Sequence, residues 1–124
     1  MNYRFKLRAI NMKTKEITYI DNYYWFEENG VSEIDSNNTA SGTFAEYYIN
    51  QCTGLKDKNG KLIYEGDIVK QYNDRGFIEW NYDNGAYWYI SIISKNPNKW
   101  LLYTGFANCE VIGNIYENKE LLNG

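Results

Sequence analysis

The chain of 124 residues contains no histidine, two cysteines and a single proline. The absence of histidine excludes Ser-His-Asp and Cys-His catalysis and every zinc site that needs an imidazole ligand. Cys52 and Cys109 stand 57 positions apart, without the paired spacing of a thiolate cluster, so we predict that both are reduced packing residues. Phosphate-binding glycine motifs are also missing. These absences predict that the protein is not an enzyme and uses no metal and no cofactor.

Long apolar runs are missing as well. The first ten residues alternate charged with apolar side chains, which does not resemble a signal peptide. The apolar runs are far too short to span a bilayer. We therefore expect a cytoplasmic protein that does not associate with membranes.

Charge is unevenly distributed along the chain, although the net charge is only −3. Residues 1–20 carry five cations and one anion, whereas residues 21–46 carry six anions and no cation. Two solvated faces are the simpler interpretation, and charge pairing within one chain or between copies is the alternative. The negative balance argues against a broad nucleic-acid footprint.

Aromatic residues make up 18% of the chain, and much of it has the alternating pattern of β-strands. Strict alternation over Tyr3–Ala9 predicts a half-buried strand. A second strand is predicted over Glu16–Ile20, and the aromatic segment Asn22–Phe26 is expected to extend it. Residues 29–42 indicate a loop, and residues 44–52 fit a helix or a strand equally well. In the first strand the inward residues are Tyr3, Phe5 and Leu7, and the outward residues are Arg4, Lys6 and Arg8.

Two Asn-Gly turns organise the second half of the chain. A three-residue loop over Lys58–Gly60, with Gly60 in the left-handed region, would place Asp57 opposite Lys61. A three-residue loop over Asp83–Gly85 is preferred to a two-residue loop because it matches apolar residues across the hairpin. This choice places Trp80 opposite Trp88, Ile78 opposite Ile90, Glu79 opposite Tyr89 and Asn81 opposite Tyr87.

Two further strands, Trp100–Thr104 and Glu110–Tyr116, and one helical turn within Glu117–Leu122 complete the predicted elements. They indicate a mainly β fold with minor α content and a single domain over residues 1–124. Within it, residues 1–50 are predicted to form an N-terminal β-hairpin extension plus a variable acidic segment. Residues 51–124 are predicted to form a small, curled antiparallel sheet, the core of an SH3-like barrel.

Carboxylates are the remaining candidates for acid–base or metal chemistry. Glu65 and Asp67 would share a strand face, where two carboxylates can bind a divalent cation or share a proton. We favour the structural interpretation, in which Glu65-Gly66-Asp67 shapes a turn and Asp67 accepts backbone N–H groups.

An aromatic platform is the most plausible binding feature of the sequence. In the preferred register Phe77, Tyr87 and Tyr89 lie on the outer face of the second hairpin, where rings can stack on bases or anchor a protein interface. Cover by another strand, by the acidic segment or by a second subunit is the simpler interpretation. The candidate binding surface adds three cations that could contact phosphates, namely Arg4, Lys6 and Arg8.

Three segments resemble the YopX family. The first is Tyr3-Arg4-Phe5-Lys6 with the turn Lys13-Thr14-Lys15. The second runs from Thr53-Gly54-Leu55-Lys56-Asp57-Lys58-Asn59-Gly60-Lys61 into Tyr64-Glu65-Gly66-Asp67-Ile68-Val69. The third is Val111-Ile112-Gly113-Asn114-Ile115-Tyr116-Glu117-Asn118. Together they frame nearly the whole chain.

The resemblance implies a bacteriophage or prophage origin, a location in the cytoplasm of the bacterial host and assembly into a homo-oligomer. It carries over no catalytic residue. Two functions follow as expectations. The first is a non-catalytic accessory protein that acts through self-assembly and contacts with a host or phage protein. The alternative is a nucleotide or nucleic-acid binder with a regulatory or anti-defence role, using the aromatic platform.

Overall fold

A computed structural model describes residues 6–81, 85–92, 99–101 and 108–123 of the protein. They form ten strands, one short α-helix and a terminal 3₁₀ helix at Lys119–Leu122, which confirms the helical turn predicted there. In chain order the other elements are β1 (Leu7–Asn11), β2 (Ile17–Ile20), α1 (Tyr24–Glu28), β3 (Thr39–Ser41), β4 (Glu46–Lys56), β5 (Leu62–Tyr64), β6 (Asp67–Gln71), β7 (Asp74–Asn81), β8 (Ala86–Ser91), β9 (Lys99–Leu101) and β10 (Glu110–Asn114).

The chain divides into two compact units, with the division falling between Cys52 and Thr53. We call the described residues before this point the N-terminal unit and those after it the C-terminal unit. Each unit has its own cluster of buried apolar side chains. The assignment of all 124 residues to one domain remains a prediction.

The N-terminal unit is built on an antiparallel sheet in the order β2-β1-β4-β3. Strand β4 continues past Cys52, and β5, which also pairs with it, belongs to the C-terminal unit. Successive residues of β1 point to opposite faces of the sheet, and Arg8 and Ala9 are only 2% and 1% exposed, so both faces of this strand are covered. The outward position predicted for Arg8 is therefore wrong. Residues 3–5 lie outside the described residues.

Helix α1 replaces the strand extension predicted over residues 22–26, so that prediction is wrong. The side-chain oxygen of Asn22 accepts the backbone N–H of Tyr24 at 3.0 Å, which favours the start of a helix over a continued strand. Gly30, with a φ of 69°, follows the helix end. Trp25 and Phe26 pack against the buried cluster of this unit.

Residues 44–52, which fit a helix or a strand equally well in the sequence, form part of β4 from Glu46 onwards. Strand β4 pairs with β1 on one side, where Ala9 faces Ile49, and with β3 on the other, where Ala40 faces Tyr47. These long-range pairings decide the conformation, because the local pattern is equally compatible with a helix.

The C-terminal unit contains an antiparallel sheet in the order β10-β6-β7-β8-β9. Ile63, Val69, Ile78, Tyr89 and Cys109 form its buried cluster. The predicted mainly β fold with minor helix content is confirmed. Among the described strands β9 and β10 are the two ends of the sheet, so the predicted antiparallel sheet is present but does not close into a barrel.

The first predicted hairpin turn is confirmed. Gly60 has a φ of 82°, and the N–H of Asp57 donates to the carbonyl of Lys61 at 2.8 Å. Both strands predicted near the end of the chain are present, and the second of them is shorter than predicted. Strand β9 covers Lys99–Leu101, with residues 102–107 outside the described part, and β10 ends at Asn114.

The predicted register of the second hairpin is wrong by one residue. Asn81 pairs with Ala86, so four residues separate the strands instead of three. Gly85, with a φ of 61°, donates its N–H to the carbonyl of Asn81. The resulting pairs include Trp80 with Tyr87, Ile78 with Tyr89, Glu79 with Trp88 and Phe77 with Ile90.

Candidate functional site

The observed register separates the aromatic residues that were predicted to form one platform. Tyr89 faces Ile78 and is only 4% exposed, because it belongs to the buried cluster of the C-terminal unit. Tyr87 packs against the same cluster, with its ring centroid 4.8 Å from that of Trp80. Phe77 lies on the other face of the sheet. The three rings therefore do not share a surface.

The predicted cations do not form an open phosphate-contacting row either. Arg8 is buried, and its Nε donates to the Oδ1 of Asn50 at 2.9 Å, directly across the β1–β4 ladder. Lys6 is partly buried, and Arg4 lies outside the described residues. Arg8 thus serves the interior of the N-terminal unit.

A polar cluster missed by the sequence analysis explains the position of Tyr89. Its hydroxyl donates to Asp74 Oδ2 at 2.6 Å, and the hydroxyl of Ser91 donates to Asp74 Oδ1 at 2.9 Å. Burial, followed by the hydrogen bond and the charge of Asp74, raises the pKa of the Tyr89 hydroxyl. The ring passes over Gly76, where a Cβ atom would lie 2.5 Å from it. The small residue at position 76 is the available sequence signal for this close approach.

Asp57 is a buried carboxylate of the C-terminal unit that accepts three backbone N–H groups. It is 6% exposed and accepts the N–H groups of Asn59, Lys61 and Val111, each at 2.9 Å. Burial acts to raise the pKa of this carboxyl, but the three N–H groups and the charge of Lys61 outweigh it and lower the pKa below its ordinary value of 3.8. Asp57 therefore fastens its turn to β10.

Asp67 has the structural role that the sequence analysis favoured. It is 1% exposed, and its Oδ2 accepts the N–H of Tyr64 at 2.8 Å, across a turn in which Gly66 has a φ of 86°. The carbonyl of Gly66 accepts the N–H of Ile115 at 2.9 Å, and a Cβ at Gly66 would lie 3.1 Å from the ring of Tyr116. The second and third family-like segments thus interlock around this turn.

Asn114, which the sequence analysis did not single out, organises the end of the chain. Its Oδ1 accepts the N–H groups of Tyr116 and Glu117 at 3.0 and 2.9 Å. Its own N–H donates to the Oδ1 of Asn118 at 3.2 Å, and a Cβ at Gly113 would lie 2.6 Å from that oxygen. Asparagine after a strand is a typical turn signal, and it could have identified this position.

Both cysteines are buried, and neither of them forms a disulfide. Burial, with added repulsion from Asp57 and Asp67, raises the pKa of the Cys109 thiol to about 11. A thiol in this state is a poor nucleophile at neutral pH. The described residues contain no group of three or more cysteine, aspartate or glutamate side chains placed to hold a metal ion.

The N-terminal unit exposes large aromatic side chains. Tyr23, Tyr24 and Phe44 are 69%, 53% and 88% exposed, and we call these three residues the aromatic surface. The rings of Tyr23 and Tyr24 lie 4.5 Å apart, and a hydrogen bond between the two side chains raises the pKa of the Tyr23 hydroxyl. The loop that carries Phe44 is tied to the end of α1, because the carbonyl of Asn29 accepts the N–H of Thr43 at 2.8 Å.

The segment of the chain that carries the aromatic surface is acidic. All six carboxylates of residues 21–46 are exposed, namely Asp21, Glu27, Glu28, Glu33, Asp35 and Glu46. Exposed rings and exposed carboxylates on one short segment are suited to contact with a partner that offers apolar and cationic groups.

These features define a small β protein with two sheets, in which most of the buried carboxylate and carboxamide groups hold turns in place. The chain belongs to the YopX protein family, whose match covers residues 6–123. It is similar to protein EF1440 from Enterococcus faecalis, known from a crystal structure, at 29% identity and a TM-score of 0.56, over 95% of this chain and 97% of that one. No curated protein matches the chain. Within the described residues no helix is long and apolar enough to cross a membrane.

Proposed function

We propose that the protein is a non-catalytic accessory protein of a bacteriophage or prophage, that it works in the cytoplasm of the bacterial host, and that it acts through self-assembly and contacts with other proteins. The aromatic surface is the observation that carries this proposal. Three exposed rings on one short unit are costly in solubility, and tyrosine and phenylalanine are typical anchors of protein interfaces.

The chemistry of the buried groups supports a non-catalytic role. Asp57, Asp67 and Asn114 accept backbone N–H groups that would otherwise be orphaned, so their polarity already has a structural use. The raised pKa of Cys109 points the same way. The nucleotide-binding alternative loses the platform on which it was argued, because Tyr87 and Tyr89 face the buried cluster.

Charge supports a second copy of the chain as one of the partners. Residues 21–46 carry six anions and no cation, and residues 1–20 carry an excess of four cations. All six anions are exposed, and among the described cations of residues 1–20 Lys13 is exposed, so opposite charges are available for pairing between copies. Such pairing weakens as salt rises.

Native mass spectrometry tests the proposal. We expect a multiple of the 14.6 kDa chain mass, and a shift towards the single-chain mass in the double variant Tyr24→Ser, Phe44→Ser. Tyr72→Gly is the matched control, because it removes an aromatic side chain that is 76% exposed outside the aromatic surface. A single-chain mass for the unaltered protein at high concentration, or an unchanged assembly in the double variant, would contradict the proposal.

A further inference from the structure

The tip of the β6–β7 hairpin holds an aromatic residue in a strained conformation. Gln71 pairs with Asp74, so Tyr72 and Asn73 form the turn between the strands. Tyr72 has a φ of 55°, in the left-handed region that side chains larger than asparagine seldom adopt. Its side chain is 76% exposed, so burial of the ring does not offset the strain. Strained residues cluster at binding sites, which makes this tip a candidate.

Local contacts do not explain why a tyrosine occupies this turn. Asn108 Nδ2 lies 3.4 Å from the hydroxyl oxygen of Tyr72, too long for a firm hydrogen bond between neutral groups. Glycine at position 72 would satisfy the backbone without strain. The aromatic ring is therefore better explained by something that it contacts from solvent.

Cations cluster beside this tip. Lys70 and Arg75 oppose each other directly across the β6–β7 ladder, a placement in which like charges repel. Glu110 stands on the other side of Lys70, but its carboxylate also lies 3.6 Å from Lys58 Nζ. This row of side chains thus holds one anion, Glu110, and three cations, namely Lys58, Lys70 and Arg75. The net charge of the whole chain is −3.

Asp74 does not cancel this excess on the same face. Its carboxylate accepts the hydroxyls of Tyr89 and Ser91, and both belong to the opposite face of the sheet from Arg75. Glu79 shares this face with Arg75, but it lies four residues further along β7, away from the tip. The excess of positive charge is therefore local to the tip, beside Lys70 and Arg75.

We propose that the β6–β7 hairpin binds single-stranded nucleic acid, with the Tyr72 ring stacked on a base and Lys70 and Arg75 in contact with the adjacent phosphates. Each base offers a flat π face, so one exposed ring suffices for contact without sequence preference. Two cations give a narrow footprint, which a chain of negative net charge can present locally. This site goes beyond the proposed self-assembly and lies outside the aromatic surface.

Fluorescence anisotropy with a labelled oligothymidine strand at low salt tests the role of the ring. We expect Tyr72→Gly to weaken binding roughly 5- to 100-fold, the range of one stacked base. Because glycine relaxes the backbone at this position, its thermal midpoint should stay or rise, so weaker binding cannot come from unfolding. Tyr72→Phe keeps the ring and should bind like the unaltered protein, as should Tyr24→Ala.

The salt dependence tests the role of the cations. Lys70→Gln and Arg75→Gln should each reduce the slope of log affinity against log salt by about 0.7, the value for one phosphate contact on a single strand. Lys13→Gln, which removes an exposed cation of the N-terminal unit, should leave the slope unchanged.

Three results would overturn the proposal. The first is absence of binding by the unaltered protein, and the second is unchanged affinity in Tyr72→Gly. The third is displacement of the oligonucleotide by inorganic polyphosphate with equal potency in the unaltered protein and in Tyr72→Gly. Native masses of the same samples keep the two proposals apart. A single-chain mass with intact nucleic-acid binding contradicts self-assembly alone, and an intact oligomer without binding contradicts the nucleic-acid site alone.

Discussion

Two turns of the same local design, one in each unit, differ in their surroundings. Asp35 begins one and Asp57 the other, and in both the Oδ1 atom accepts the N–H groups of the second and fourth following residues at 2.9 Å. In both the third following residue has a positive φ, 59° at Asn38 and 82° at Gly60. Asp35 is exposed, whereas Asp57 is buried and also accepts the N–H of Val111. The comparison shows what burial and one long-range hydrogen bond together add to a turn.

Replacement of each aspartate by alanine should give the largest difference between the turns. Asp57→Ala leaves three N–H groups without their acceptor in a buried place, and we expect a loss of about 3 kcal/mol of unfolding free energy. Asp35→Ala leaves two N–H groups that water can reach, and we expect a loss of about 1 kcal/mol. Urea unfolding of the two variants measures both values.

Asp57→Asn is the control for shape, since it keeps one oxygen acceptor and replaces the other by an amide. The free energy of unfolding of Asp57→Asn should lie between that of the unaltered protein and that of Asp57→Ala. Equal losses for the two alanine variants would mean that burial and the bond to Val111 add nothing to the turn.

The two turns also show what a sequence can reveal. The turn at Asp57 was predictable because Asn59-Gly60 is a strong hairpin signal. Its counterpart was assigned to a loop, since Asn38 adopts positive φ less readily than glycine. The bond from Asp57 to Val111 spans 54 positions, and no local pattern reports such a contact.

The predicted register of the β7–β8 hairpin was wrong for a related reason. Apolar matching assumed that the tryptophan and isoleucine residues belong together on one face. Both faces of this hairpin carry aromatic or apolar residues, so matching could not distinguish the registers. The bond from Tyr89 to Asp74, which fits the observed pairing, involves two polar groups that this criterion ignores.

The prediction that Arg8 faces solvent was wrong because of tertiary packing, although the alternating pattern of its strand was read correctly. Alternation predicts the two faces of a strand, and it does not tell whether both faces are covered. Arg8 and Asn50 pair across β1 and β4 and are each only 2% exposed, so the polar face is covered as well as the apolar one. The strand was predictable, but the burial of its polar face was not.

Lowering the pH should have a smaller effect on the free energy of unfolding than replacing Asp57 by alanine, and this effect also comes from the buried turn. The pKa of Asp57 is lower in the folded protein than its ordinary value of 3.8, so its contribution is fully present above that pH. The contribution is lost as the pH falls from 3.8 through the folded pKa, at about 1.4 kcal/mol for each unit of lowering. Urea midpoints of the unaltered protein and Asp57→Asn should converge over this acidic range. A constant difference between the two down to the lowest pH would contradict the assignment.

The ion pair between Lys58 and Glu110 should have the smallest effect, although it joins the same two segments as the bond from Asp57 to Val111. Its atoms lie 3.6 Å apart, and the two side chains are 52% and 37% exposed, so water competes for both charges. A double-mutant cycle with Lys58→Ala and Glu110→Ala should give a coupling below about 0.5 kcal/mol, which vanishes in high salt. A coupling as large as the Asp57→Ala loss would show that the exposed pair, rather than the buried carboxylate, fastens the turn to β10.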